Sequence, residues 1–375
     1  MLKKFLLISF NFVIILIFGL FPIATPTVSG VANVNICPRK FIEKIKQIVM
    51  PIKDVEEQEN IEREFVYISG KPIGFSIDGD GVVVVSMGEI KTKTGYEMSP
   101  CESAGIKIGD IIKKAEGISV TSGERLIDII NSRDGGLCKL ELERDKKLLF
   151  IDVLPLFDEI SLSYRLGIWV RDSAVGIGTV TYVTQDGGFS ALGHPVADVD
   201  TSTIIPVGSG DVYKCSVVGV KRGERGEPGE LKGLFLRSSN KIGSLNNNDE
   251  CGITGQFDTE KNAEMFKSGE LTEVALPKDV RNGSAKVLTT IDGFIPVWYE
   301  IEIIKTNHIN NYGNKCMVVR ITDKELLSKT NGIVQGMSGS PVVQDGRLIG
   351  CITHVFVNDP GKGFADFIDH KKLKK

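Results

Sequence analysis

An unbroken apolar stretch opens the chain, and short alternating apolar runs fill most of the rest. Residues 5–38 carry no charged side chain. Their apolar core, 5–23, is close to the roughly 20 residues a helix needs to cross a bilayer. Lys3 and Lys4 precede it, so the positive-inside rule keeps the N-terminus cytoplasmic and sends everything after residue 38 to the other side. A cleaved secretory signal is the alternative, with Val28-Ser29-Gly30 as a cutting point. The core is longer than an ordinary signal core, which favours an anchor. Residues 39–63 are rich in Lys, Glu and Gln and read as a polar linker.

From 64 to 156 the periodicity changes repeatedly. Gly74-Phe75-Ser76-Ile77 alternates, and Gly81-Val82-Val83-Val84-Val85 is a β-branched run opened by glycine. Residues 122–132 place Leu126, Ile129 and Ile130 on one helical face. Two strands, 138–144 and 147–155, meet at a turn at Asp145-Lys146. From 157 to 375 the chain is strand-rich: 168–170, 176–183, 202–207, 214–220, 285–290, 298–305 and 317–321 read as β-branched or aromatic runs between Gly, Asn and Asp turns. Helical stretches are few, at 259–267 and 324–329. This part predicts one β-barrel or a pair of them.

Composition changes that picture little. The 375 residues are 42% hydrophobic and 25% charged, with a net charge of −3. That is ordinary for globular domains, and it gives no basic field of the kind nucleic acid requires. None of the seven cysteines forms a C-x-x-C pair, and no Cys/His spacing suits zinc, so neither a metal nor another cofactor is expected. The far side of a membrane permits disulfides. Isolated buried thiols are the alternative.

The chemistry concentrates in Gly336-Met337-Ser338-Gly339-Ser340-Pro341, followed by Val342-Val343, a turn at Asp345-Gly346 and a returning strand. Peptide hydrolysis by serine needs an exposed hydroxyl on a tight turn, near backbone N–H groups that can hold an oxyanion. Glycines on both sides permit that turn. Alone, the pattern is equally a β-turn that happens to contain serine. A base must accompany the serine, and there are only four histidines: His194, His308, His354 and His370. His194 follows a hairpin and the small-residue run Ser190-Ala191-Leu192-Gly193. His354 lies on the returning strand as a wall of the cleft, His308 reads as a loop residue, and His370 sits in the basic tail. Among 48 acidic residues, Asp323 ends a strand fifteen residues before Ser338. It reads equally as the cap of helix 324–329, and Asp292 and Asp198 compete for the acid's role.

Two resemblances follow from these residues. The order Ser99-Pro100 … Ala104-Gly105-Ile106 … Gly109-Asp110-Ile111-Ile112 resembles a PDZ domain. That implies a peptide bound as an added strand, with Lys71, Pro72, Ile73, Gly74 and Phe75 as its carboxylate-binding loop. The G-x-S-G-x-P turn resembles chymotrypsin-like peptidases, which implies Ser338 as nucleophile and the N–H groups of Gly336 and Ser338 as oxyanion hole.

The whole order is narrower still: Ala191-Leu192-Gly193-His194-Pro195, then Ile321-Thr322-Asp323, then Asn331-Gly332-Ile333-Val334-Gln335 before the serine turn, and Thr353-His354-Val355 after it. This resembles the stage IV sporulation protein B serine peptidase family. The resemblance implies a mainly β fold: a membrane segment (1–38), a linker (39–63), a PDZ-like α/β module (64–156) and a chymotrypsin-like β-barrel peptidase domain (157–375). It implies His194, Ser338 and Asp323 as triad. It further implies passage across the forespore inner membrane and cleavage of a membrane-bound regulator of an intramembrane metalloprotease. The late mother-cell sigma factor is activated as a result. Self-cleavage between about 39 and 70 is implied too, with the PDZ-like module taking a peptide ligand or the chain's own N-terminal segment. Two other functions remain in view: a non-catalytic PDZ scaffold on a degenerate protease fold, and a quality-control protease of the high-temperature-requirement type. The latter places its PDZ domain after the protease.

Overall fold

The computed structural model describes residues 63–235, 241–307, 315–368 and Leu373, all within one unit, Glu62–Lys375. The expected anchor, the linker up to residue 62, Cys37, His308 and His370 lie outside the described residues. Among the described residues, no helix is long and apolar enough to cross a membrane.

Six strands in the C-terminal part close a barrel in the order Gly283–Thr289, Val297–Thr306, Met317–Ile321, Lys362–Phe367, Arg347–Val355 and Pro341–Gln344. The period of two explains why. Along Val297–Thr306, Tyr299, Ile301 and Ile303 are buried while Glu300 is exposed. They meet Met317, Val319, Ile352, Ala365 and Met337 in one core. Each such side chain contributes roughly 1.5–3 kcal/mol by leaving water.

A second ring of pairings runs through Pro72–Met87, Ile168–Val183, Gly188–Leu192, Gly252–Phe257, Lys241–Asp249 and Val207–Lys214, and returns to Pro72–Met87. Ile73, Phe75, Ile77, Val180, Phe189, Val212 and Phe257 fill it. Of the expected single barrel or pair, the structure has a pair, and the domain boundaries need correction. Residues 72–78, assigned by pattern to the PDZ-like module, are part of this barrel, and Phe65–Ile68 pairs with its strand Ile168–Val183.

Two 16-residue strands, Pro72–Met87 and Ile168–Val183, pair antiparallel from Pro72 with Thr179 to Met87 with Ile168. At one end both belong to the barrel. At the other, Val82 and Val83 pair with Ile112 and Ile111, which starts a small sheet completed by Cys138–Arg144 and Lys147–Val153. Helices Pro100–Ser103 and Gly123–Asn131 contribute Cys101, Leu126, Ile129 and Ile130 to its core. Ser122 caps the second helix by accepting from Arg125 N at 3.0 Å. The module is thus an insertion between two strands of the first barrel rather than a bead ahead of it. It reaches past residue 156 to the start of Ile168–Val183.

Candidate active site

Ser338 stands on a turn flanked by Gly336 (φ +95°) and Gly339 (φ +93°), a region that favours glycine. A Cβ at Gly339 would lie 2.1 Å from Thr179 O and 2.5 Å from Leu192 N, so the turn is pressed directly against the first barrel. Met337 anchors it from the other side, fully buried in the second core. Ser340 Oγ donates to Thr289 Oγ1 at 2.8 Å in the interior, a structural role. The amides of Gly336 and Ser338 donate to no protein acceptor among the described residues, whereas Met337, Gly339 and Ser340 all do. This is the arrangement an oxyanion hole requires.

His194 follows two successive left-handed residues, Leu192 (φ +71°) and Gly193 (φ +69°), which turn the chain out of Gly188–Leu192. A Cβ on Gly193 would meet Cys351 Sγ at 2.5 Å and Thr353 Cγ2 at 3.1 Å. Only glycine lets the loop lie that close to strand Arg347–Val355. The same strand receives the serine turn: Gly339 N donates to Ile352 O, and Ser338 Oγ to Thr353 O, both at 2.8 Å. The next residue, His354, packs its ring on that of His194, with centroids 5.0 Å apart. Histidine and serine, 144 positions apart in the chain, converge on Thr353-His354. In this state the serine hydroxyl is bonded to Thr353 O rather than to an imidazole.

His194 Nδ1 lies 2.9 Å from Pro195 O. A carbonyl only accepts, so Nδ1 carries the proton and the lone pair is on Nε2, the tautomer of a general base. Burial pulls the His194 pKa below its ordinary value, with the Pro195 carbonyl opposing. The structure does not bring Asp323 to it. Asp323 caps helix Lys324–Thr330, with Oδ1 accepting from Leu326 N at 2.9 Å and Oδ2 3.5 Å from Glu300 N. Asp198 is buried against Arg171, whose Nε lies 2.6 Å from its Oδ2, and also accepts from Thr201. Asp292 is exposed. Among the described residues, no carboxylate forms a hydrogen bond or ion pair with His194. Pro195 O occupies the place that sequence reasoning gave to an acid, and no side-chain pattern could have revealed it.

The expected peptide-binding loop also needs correction. Lys71 Nζ donates to Met265 O at 2.7 Å and Lys267 O at 3.0 Å. Pro72, Ile73, Gly74 and Phe75 pair with Ile168–Val183 on one side, and Ile73 to Phe75 also pair with Val207–Lys214 on the other. Ile73 and Phe75 are core residues, and Phe235 covers Gly74. A strand paired on both edges cannot accept a third.

An open edge exists elsewhere. Among the described residues, 168–170 pair only with Pro72–Met87, and a groove of about 610 Å³ separates them from Leu126, Ile127 and Ile130 of helix Gly123–Asn131. Just before this edge, Leu166 O accepts from Cys101 N and Gly167 O from Gly88 N. Peptide planarity turns the N–H groups of Gly167 and Ile168 the opposite way, and Gly167 has φ +67°. The signal in the sequence was glycine between two apolar residues, Leu166-Gly167-Ile168, at the head of a strand.

No disulfide joins the described cysteines, and burial pushes the thiols of Cys101 and Cys351 up to about 12. Among the described residues, no group of three or more His, Cys, Asp or Glu could hold a metal ion.

A family model described as SpoIVB peptidase S55 matches residues 162–371, more than half of the chain. No curated protein matches. Among solved structures, the chain is similar to the PDZ domain of an SdrC-like protein from Listeria monocytogenes, at 24% identity over 24% of this chain and 87% of that one, with a TM-score of 0.20. It is also similar to the HtrA-type protease AlgW with decapeptide, at 15% identity over 58% of this chain and 57% of that one, with a TM-score of 0.30. At those scores neither bears on the fold, which rests on the chain's own sheets.

Proposed function

This chain belongs to the SpoIVB peptidase S55 family and is a serine peptidase, and we propose that Ser338 is its nucleophile and His194 its general base. The supporting observation is the convergence of both segments on Thr353-His354. Ser338 Oγ leaves Thr353 O by rotation about its Cα–Cβ bond and gives its proton to His194 Nε2 as it attacks the substrate carbonyl. The amides of Gly336 and Ser338 take the oxyanion. The His194 proton passes to the leaving amine, and water then hydrolyses the acyl-enzyme by the reverse sequence. Pro195 O holds the imidazole's tautomer and stabilises the transient imidazolium, the task a carboxylate performs elsewhere.

The finer reading follows family membership. The peptidase crosses the forespore inner membrane and stays anchored or is released beyond it. It cleaves itself and a membrane-bound regulator of an intramembrane metalloprotease, and the late mother-cell sigma factor is activated as a result. Strand Phe65–Ile68 is paired on both edges, which argues for self-cleavage before residue 63 rather than up to 70. The groove beside 168–170 takes a peptide as an added strand, with the Gly167 and Ile168 amides toward its carboxylate.

A fluorophosphonate probe tests the nucleophile. Mass spectrometry is expected to place the label on Ser338, and Ser338→Ala to lose labelling and cleavage by roughly 10⁴-fold or more. Because His194 must be neutral, the labelling rate should fall on acidification with a midpoint below about 6.5. Label on another residue, or normal self-processing by Ser338→Ala, sinks the reading.

A further inference from the structure

The two proposed oxyanion donors are held by the bonds of their neighbours. The serine turn is a run of planar trans peptides, in each of which the N–H points opposite to the C=O. Gln335 O accepts from Leu231 N at 2.8 Å, which aims the Gly336 N–H away from strand Glu230–Leu234. Met337 O accepts from Ser340 N at 2.9 Å, which aims the Ser338 N–H. Between these two planes lies a third, joining Gly336 to Met337. Its orientation sets how the donors stand relative to each other. Gly336, at φ +95° and with no Cβ, has more freedom than any other residue to let that plane swing.

That middle plane is held at its carbonyl by one side chain. Thr179 Oγ1 donates to Gly336 O at 2.8 Å, and the backbone amide of the same residue donates to Ser338 O at 3.1 Å. Met337 N, on the opposite end of the plane, reaches Val334 O at 3.1 Å. Thr179 is 1% exposed and lies within strand Ile168–Val183, where neighbouring pairs fix its backbone. A β-branched residue there has few rotamers to choose from, so the hydroxyl costs little entropy to aim. Every other bond named around the turn between 335 and 338 comes from backbone, except that of the nucleophile itself.

We infer that Thr179 is a positioning residue for catalysis. Its hydroxyl locks the 336–337 peptide so that both amides converge on the developing negative oxygen. It touches neither substrate nor reacting atoms. The inference rests on the proposed roles of Ser338, Gly336 and His194. It differs from a packing role because valine, which matches threonine in shape, keeps the packing and removes only the bond.

The test uses the full chain and a fluorophosphonate probe, with kinact and KI measured separately. In this reaction Ser338 Oγ bonds to phosphorus, fluoride leaves, the serine proton passes to His194, and the phosphoryl oxygen enters the oxyanion site. Thr179→Val is expected to lower kinact about 10- to 100-fold, less than the roughly 10²- to 10³-fold of losing an oxyanion donor outright because both donors remain, with KI within about twofold. Thr179→Ser, which restores a hydroxyl, should recover to within about threefold of wild type. The acid-limb midpoint should not move, because His194 is untouched. A folded Thr179→Val with wild-type kinact, a change confined to KI, or a serine variant no better than valine overturns the inference. Should valine not fold, Thr179→Ala is measured against Thr179→Ser on the same terms. Wild-type labelling at a residue other than Ser338 would instead overturn the nucleophile assignment. Labelling at Ser338 with an unaffected valine variant overturns Thr179 alone.

Discussion

His354 shows how much one imidazole can report. Among the described residues, its buried Nδ1 has no hydrogen-bond partner. Burial, then the facing His194 and Lys315, depress its pKa to about 4. In the unfolded chain it titrates near 6.5. Between those values the unfolded state takes up a proton that the folded state refuses. The stability associated with neutral His354 is therefore complete above about 6.5 and lost as pH falls toward 4, and solvent screening of this half-buried ring keeps the effect to about 1 kcal/mol. Phenylalanine at 354 keeps a ring against His194 and cannot titrate. Urea unfolding at about pH 7 and pH 4 should show wild type losing more stability than His354→Phe across that interval. Parallel losses would mean the imidazole is already protonated or solvated in the fold.

At the scale of elements, short helix Lys324–Thr330 decides between two readings of Asp323. Its side chain closes the first turn through Leu326 N, and Asn331 (φ +61°) ends the last. Removing the cap costs about 1 kcal/mol, and asparagine caps as well as aspartate does. Asp323→Asn should therefore keep both stability and fluorophosphonate labelling. Asp323→Ala should lose about 1 kcal/mol while the folded fraction labels at the wild-type rate. A labelling rate reduced 100-fold in Asp323→Asn would restore the carboxylate to the catalytic group. The capping role was legible in the sequence because its pattern is local, whereas the acid's role came only from the family resemblance. Choosing between them was not legible, because the choice depends on what His194 bonds, and that is a main-chain carbonyl. The serine turn and the His194 loop were legible for the opposite reason: Gly336, Gly339 and Gly193 are dictated by φ and by close contact, and both constraints write themselves into residue identity. Thr179 had no such mark, being one β-branched residue in a β-branched strand.

For the whole molecule, pattern and order suggested beads in series, and the structure shows an insertion. What misled was continuity. Pro72–Met87 and Ile168–Val183 are strands of two bodies at once, and alternation along a strand does not say which core lies beneath it. Ile73 and Ile77 fill the barrel while Val82 and Val84, on the same strand, fill the inserted module. The partner strand also spans several tasks. Residues 168–170 edge the groove, Arg171 binds the buried Asp198 beyond His194, and Thr179 holds the serine turn. A module fed by two unbroken strands has no flexible linker at which to uncouple, and the serine turn is pressed against its barrel, so module and both barrels should lose structure together. The chain's two tryptophans test this, since Trp169 lines the groove and Trp298 lies on Val297–Thr306 of the other barrel. In a Ser338→Ala background, Trp298→Phe leaves the groove reporter and Trp169→Phe the barrel reporter. Urea titrations of the detergent-solubilised full chain should give the same midpoint for both within about 0.3 M, the spread expected of one cooperative transition. A groove transition well below the barrel's would show that the crossover strands part near Gly79 and Gly81, and that the module folds as a unit of its own.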